Sequence, residues 1–226
     1  MKAVGILGGM GPEATILLMQ KVLAAVPAQD DADHVPLIVY QNPQVPSRIR
    51  ALIDGDGTDP MPVLMSMAQD LERAGAQALA MPCNTAHHYA MAVAHATSLP
   101  FLNMINLTGA HLAASGARTV GMLASPAVRK TGVFDAAFAA RGLTPLWSRD
   151  DAELLSIIRA VKAGEDSRSL APRLGHVAAE MTRGGADHLL VACTELSLMS
   201  HALPPGTPGT DSLDCLVQAI VEFSIA

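Results

Sequence analysis

Two stretches of this chain echo each other. AGAQALAMPCNT (Ala74 to Thr85) aligns without gaps on GGADHLLVACTE (Gly184 to Glu195), matching Gly75 with Gly185, Ala76 with Ala186, Leu79 with Leu189 and Cys83 with Cys193, at a constant offset of 193 − 83 = 110 residues. A looser echo precedes each copy, Val4-Gly5-Ile6-Leu7 against Val120-Gly121-Met122-Leu123. Two echoes in the same order point to duplication of one folding unit. The 226 residues then read as two small domains rather than one large one.

Each unit alternates short apolar strands with helical patterns. AVGIL (Ala3 to Leu7) reads as a buried strand, and GGMGPEAT as a glycine turn with Pro12 in a first helical turn. PLIVY (Pro36 to Tyr40) is the next strand, followed by a long polar loop from Gln41 to Pro60, a helix centred on Val63 to Arg73, and a strand QALAM (Gln77 to Met81) that ends near Cys83. With 50% hydrophobic and only 3% aromatic residues, the interior must be built of Ala, Leu, Val, Ile and Met, which suits buried parallel strands. The expectation is an α/β protein of two similar, doubly wound, flavodoxin-like parallel-sheet domains related by an approximate twofold. Residues 1–103 with 206–226 would form the first and 104–205 the second. Pro100 and Asn103 to Asn106 mark the crossing, and a helix from about Asp214 returns to the first domain.

Charge and cysteine usage narrow the function classes. A net charge of −6 without a Lys/Arg cluster argues against nucleic acid or an anionic membrane as partner and leaves a small molecule. No run approaches the ~18 apolar residues of a membrane span, and Gly8, Gly9, Gly11, Pro12 and Glu13 interrupt the apolar start before a signal peptide core accumulates. Three cysteines without CxxC spacing predict reduced thiols and a cytoplasmic protein.

Both matched cysteines fall just past the carboxyl end of an equivalent strand, where open α/β sheets place their ligand crevices. A twofold would aim the two thiols into one cleft. Asn84-Thr85 and Thr194-Glu195 read as first-turn helix residues, and a helix N-terminus favours thiolate and lowers the thiol pKa. A thiolate and a thiol on opposite sides of a carbon acid make a two-base pair, each positioned group contributing ~100- to ~10,000-fold. The GGMGP and Cys-Asn/Thr turns offer N–H groups to the carbanionic transition state. The competing reading is a buried structural thiol, and it holds for Cys215, which has no repeat partner.

Other candidates carry less. His88 and His95 stand about 10.5 Å apart along a helix, and adjacent His87 and His88 face different ways, so the histidines cannot share one metal ion. The glycines of GGMGP lack GxGxxG spacing, which argues against a dinucleotide. Arg48 ends the proline-stiffened loop NPQVPSR and suits bidentate capture of a carboxylate, although a solvated arginine would read the same. Lys162, in IIRAVKAGE, has weaker support.

The ordered set GILGGMGPEAT, NPQVPSR, PCNTAH and ACTEL resembles the aspartate/glutamate racemase family, in its cofactor-independent branch, over nearly the whole chain. The resemblance implies an active site between two α/β domains, Cys83 and Cys193 as the acid-base pair, and neither pyridoxal phosphate nor metal. It further implies Arg48 on the side-chain carboxylate of an acidic amino acid, aspartate first, with Lys162 as its cationic partner. Met10, Gln41, Asn84, Thr85 and Thr194 would be cleft positions holding the α-carboxylate and ammonium, Cys193 would serve the L-enantiomer and Cys83 the D-enantiomer, and the family habit of pairing implies a homodimer. One departure stands out: Asp211-Ser212-Leu213 occupies the place of the family's Asp-Thr-Thr. Two other readings keep the cleft: a thiol-dependent isomerase or decarboxylase of a dicarboxylic acid, and an amino-acid-binding protein without turnover.

Overall fold

The structure, a computed structural model, describes residues 1–226. Its first half runs β1 (Val4–Gly8), α1 (Pro12–Ala24), β2 (Leu37–Gln41), α2 (Met61–Arg73), β3 (Ala78–Ala80), α3 (Ala90–His95) and β4 (Phe101–Leu102). The second runs α4 (Met104–Ala114), β5 (Thr119–Ala124), α5 (Pro126–Thr131), α6 (Asp135–Ala139), β6 (Thr144–Trp147), α7 (Asp151–Lys162), α8 (Ser167–Arg183), β7 (His188–Ala192) and β8 (Gly209–Asp211), and α9 (Ser212–Ile225) closes the chain. Two four-stranded sheets result, ordered β2-β1-β3-β4 and β6-β5-β7-β8, with every pairing parallel. This is one doubly wound order used twice, and it places both Cys-bearing turns at the carboxyl ends of central strands. No helix is long and apolar enough to cross a membrane.

The repeat is visible as packing. A Cβ added at Gly5 would lie 2.9 Å from Ala76, 3.0 Å from Leu79 and 3.2 Å from Leu71; at Gly121 it would lie 3.1 Å from Ala186, 2.8 Å from Leu189 and 3.3 Å from Met181. Each neighbour in the second set stands 110 residues after its counterpart in the first, as in 186 − 76. A glycine in the central strand lets α2 in one half and α8 in the other, each with its exit turn, settle onto the sheet with nothing between. The same offset runs through the two cores, where Leu64, Met67, Ala68 and Met81 pack around Cys83 as Leu174, Val177, Ala178 and Val191 pack around Cys193. Gly75 and Gly185 end the two equivalent helices with φ of +95° and +103°, a left-handed conformation that glycine adopts without strain. Gln77 and Asp187 then make the same bonds: each donates its N–H to Ala3 or Thr119, and each side chain accepts from the amide of that residue.

Helix starts follow capping chemistry. Asn103, Ser125, Asp150, Asp166 and Asp211 each accept a backbone N–H at the start of α4, α5, α7, α8 and α9, while α1 begins on Pro12. The long polar loop after β2 carries a π-helical turn, Arg50–Asp54, and lies against the other half. There Lys130 Nζ donates to the Ile53 carbonyl at 3.3 Å, Arg159 faces Asp54 at 4.0 Å, and Ile49 packs on the second core.

The chain crosses between halves twice. The first crossing is at Asn103, between β4 and α4. The second differs from the expected segment 206–226: residues 209–211 form the edge strand of the second sheet, and the return begins at Ser212. The helix starts two residues before Asp214 because Asp211 caps it, accepting from Leu213 N–H at 2.9 Å. Leu213, Leu216 and Ile220 of α9 pack with Val4, Ile6 and Leu18, and α9 also lies on α4. Leu213, in the place of a hydroxyl residue, is thus part of the first half's core.

Two outcomes follow from this packing. Gly121→Ala must displace Leu189 and Ala186, so urea denaturation should show a loss of about 1–3 kcal/mol. Burial pushes the Asp211 carboxyl up to about 6, against the hydrogen bonds from Leu213 and the Ser197 hydroxyl that pull it down. A raised acid holds its proton more tightly when folded, so its contribution is complete below pH ~4 and is lost as pH rises through ~6. Asp211→Asn, which retains the capping oxygen, should therefore gain up to about 3 kcal/mol over the parent protein at pH ~7.5, the gain shrinking as pH falls toward ~4.

Candidate active site

The two cysteine turns face one cleft of about 630 Å³ between the halves, within the size range of small-molecule sites. The first half contributes Gly9 to Ala14 from the glycine turn, Arg48 and neighbours from the long loop, and Cys83 and Thr85. The second contributes Ser125, the end of α7 with Ile158, Val161 and Lys162, and then Cys193 and Glu195. Cys193 directly follows β7, and Cys83 follows β3 after Met81 and Pro82, so the strand ends fix the thiols and the inter-half contacts fix the gap. Both cysteines are 6% exposed.

Of the candidate residues, Met10, Arg48, Cys83, Thr85, Lys162 and Cys193 line this one cleft. Gln41, Asn84 and Thr194 do not line the cleft. Gln41 is the exposed last residue of β2. Asn84 donates through Nδ2 to Ser212 Oγ at 2.9 Å, and Ser212 donates on to the Val191 carbonyl at 3.0 Å. Thr194 donates from its hydroxyl to the Pro82 carbonyl at 3.1 Å. These two side chains tie the cysteine turns across the boundary between halves. The residue after each cysteine is turned away from the cleft and held there by these bonds.

His87 is a strut. Its Nδ1 lies 2.8 Å from the Cys83 carbonyl, its Nε2 accepts from Met104 N–H at 3.2 Å, and burial lowers its pKa to about 4. A neutral ring protonated on Nδ1 satisfies both bonds. It pins the first cysteine turn to the start of α4. No group of three or more His, Cys, Asp or Glu side chains is assembled to hold a metal ion.

The electrostatics centre on Glu195, which the sequence reading did not single out. Its Oε1 pairs with Lys162 Nζ, and its Oε2 accepts from the Cys193 thiol at 3.1 Å. Burial lowers the pKa of the Lys162 ammonium, but the charge and hydrogen bond of Glu195, with smaller contributions from both thiols, outweigh it and hold the group above its ordinary range. The Cys193 thiol moves opposite to the helix-terminus expectation. Burial pushes it well above the usual range, and the Glu195 charge and hydrogen bond add to that, against Lys162. Both helices after the cysteines are short 3-10 turns, Thr85–Tyr89 and Leu196–Ala202, with little aligned dipole to offset desolvation. The signal for Glu195 lay in the repeat: an offset of 110 sets it against Thr85, making it a position where the copies differ in charge.

Two cleft elements come from the looser echo. Gly9 and Ser125, 116 residues apart, follow the equivalent strands β1 and β5. The Gly9 N–H, one of those offered as a transition-state donor, is taken by Thr15 Oγ1 at 2.9 Å. At φ +91° Gly9 also presses on the Asn42 backbone, which a Cβ would approach to 2.3 Å. Arg48 is oriented by its own loop: Nη1 donates to the Val45 and Pro46 carbonyls at 3.2 and 2.8 Å, and the buried Nε has no partner.

The Asp/Glu/hydantoin racemase family model matches residues 7–220. An aspartate racemase from Picrophilus torridus has the same fold at a TM-score of 0.88 and 29% identity, over 99% of this chain and 94% of that one. The broad specificity amino-acid racemase RacX of Bacillus subtilis is 25% identical over 99% of this chain and 98% of its own length. An aspartate racemase homologue from Pyrococcus horikoshii aligns over the full length of both chains at a TM-score of 0.75 and 22% identity, sharing the fold. With the family model spanning both cysteine turns and the cleft between them, this chain belongs to the Asp/Glu/hydantoin racemase family and is an amino-acid racemase.

Proposed function

We propose that the protein racemises an acidic amino acid, aspartate first, by cofactor-independent proton transfer between Cys83 and Cys193. The observation that carries this reading is the shared cleft, with the two thiols and with Arg48 and Lys162 as its cations. One thiolate takes the proton from Cα, the C–H electron pair spreads into the α-carboxylate, and the opposite thiol returns a proton to the other face. One proton enters and one leaves, so nothing is oxidised or reduced.

Arg48 supports the acidic substrate. Its loop carbonyls hold Nη1, and Nη2 makes no hydrogen bond within the protein, leaving a donor for a side-chain carboxylate. Lys162, offset in charge by Glu195, adds a second cation near both thiols. Partial desolvation in the cleft strengthens each of these interactions at the developing carbanion. The likeness to an aspartate racemase supports aspartate as the first substrate to test, and the broad specificity relative makes a wider panel worth testing. Three free cysteines suit a reducing cytoplasm, and the exposed apolar stripe Ile16, Met19 and Leu23 on α1 suits pairing of two copies.

Incubation with L-aspartate in D₂O should yield D-aspartate carrying α-deuterium, read by mass and chiral chromatography; absence of both label and inversion with aspartate, glutamate and other amino acids rules this reading out. Cys83→Ala and Cys193→Ala should each abolish inversion. Arg48→Gln removes a charge-assisted contact worth about 1.5–3 kcal/mol, so kcat/KM for aspartate should fall ~10- to ~100-fold, mainly through KM.

A further inference from the structure

The two halves share a backbone plan but differ in charge beside their thiols. Two residues past Cys193 stands Glu195; two residues past Cys83 stands Thr85, at the equivalent place in the repeat. Both side chains line the cleft. Glu195 Oε2 is 3.1 Å from Cys193 Sγ, in the geometry of a thiol donating to a carboxylate, and its other oxygen is occupied by Lys162. The Thr85 hydroxyl carries no charge. A symmetric pair of bases is therefore set in an asymmetric field.

We infer that Glu195 is a positioning residue that holds the proton on Cys193 in the resting enzyme, so that Cys83 opens the cycle as base and Cys193 answers as acid. This rests on the two-thiol reading above. Lys162 belongs to the same device. By pairing with Oε1 it keeps the carboxylate turned so that Oε2 faces the sulfur, and it counters the charge that appears there after proton donation. The charged and titratable groups acting on Cys193 are thus Glu195 from its own turn, Lys162 from the last turn of α7, and Cys83 from the opposite half.

The proton count is closed. In the forward step the Cα–H bond breaks, its electrons stay on the substrate and an S–H bond forms at Cys83. The Cys193 S–H bond then breaks as the new Cα–H bond forms. Cys193 is left as a thiolate beside a carboxylate, a like-charge pair eased by Lys162. Repulsion from Glu195 drives a proton back from Cys83 to Cys193 through solvent once product leaves. One enantiomer meets the resting enzyme in its productive form, whereas the other must wait for the reverse arrangement.

Alkylation by iodoacetamide across a pH series, with peptide masses separating Cys83 from Cys193, tests this without any substrate. In Glu195→Gln the Cys193 profile should move to lower pH and its rate near pH 7.5 should rise ~10-fold, while Cys83 stays within ~2-fold of the parent protein. Glu195→Asp should restore the parental profile. An unmoved Cys193 profile, a shift to higher pH, or equal movement of both thiols overturns the inference. Should the Gln variant not fold, the Cys193 S–H stretching band of the parent protein, assigned by its loss in Cys193→Ala, decides. A band lowered in frequency, as for donation to a carboxylate, supports the inference, and a free-thiol frequency overturns it. Because these readouts need no turnover, failure of the racemase reading would appear separately, as absence of α-deuterium exchange in D₂O.

Discussion

The contact of a strand glycine with the small residue of a helix exit turn, Gly5 on Ala76 and Gly121 on Ala186, is what the rest of the structure depends on. Helix and sheet approach until a single added carbon would collide. That closeness seats α2 and α8, sets where β3 and β7 begin, and so decides where each strand ends. Each strand ends at a cysteine turn. The position of each sulfur is therefore set by apolar packing at the opposite end of the sheet, away from the cleft.

Two copies of one frame do not give two copies of one chemistry. The cores around Cys83 and Cys193 correspond closely, yet the polar groups at the strand ends diverge: a neutral His87 pins the first turn, and a Lys162–Glu195 pair flanks the second. In a desolvated site such differences are amplified, since one buried carboxylate changes the field at a neighbouring sulfur far more than it would in water. The frame supplies opposition of the thiols, and the divergent side chains determine how protons distribute between them.

The frame was legible in the sequence because it rests on local signals. Strand periodicity, glycine turns and the gap-free echo all report on contacts between residues near in sequence or repeated at fixed offset. Cys83 and Cys193 were readable as cleft residues because they follow equivalent strands, and Arg48 because it closes a proline-stiffened loop, whereas Lys162, Met10 and Thr85 rested on the resemblance to the racemase family. Asn84 and Thr194 look equally exposed in sequence, but their direction depends on one peptide's rotation within each turn, and they end as ties across the boundary between halves. Strand β8 was hidden because three residues, Gly209-Thr210-Asp211, carry too little pattern to reveal a pairing with β7. Glu195 was hidden by the same alignment that exposed the cysteines, since comparing copies draws attention to what matches.

Two crossings between the halves, at Asn103 and at Ser212, are followed by helices α4 and α9 that lie against one another. A body tethered at one point can swing in any direction, whereas one tethered at two turns about the line that joins them. The two crossings and this helix pair make one shared spine, so the chain joins the halves along an edge and not through a single linker. An opening of the cleft that keeps both crossings intact would turn about the line through Asn103 and Ser212, and it would have to break the Thr194 to Pro82 bond and the Lys130 to Ile53 bond.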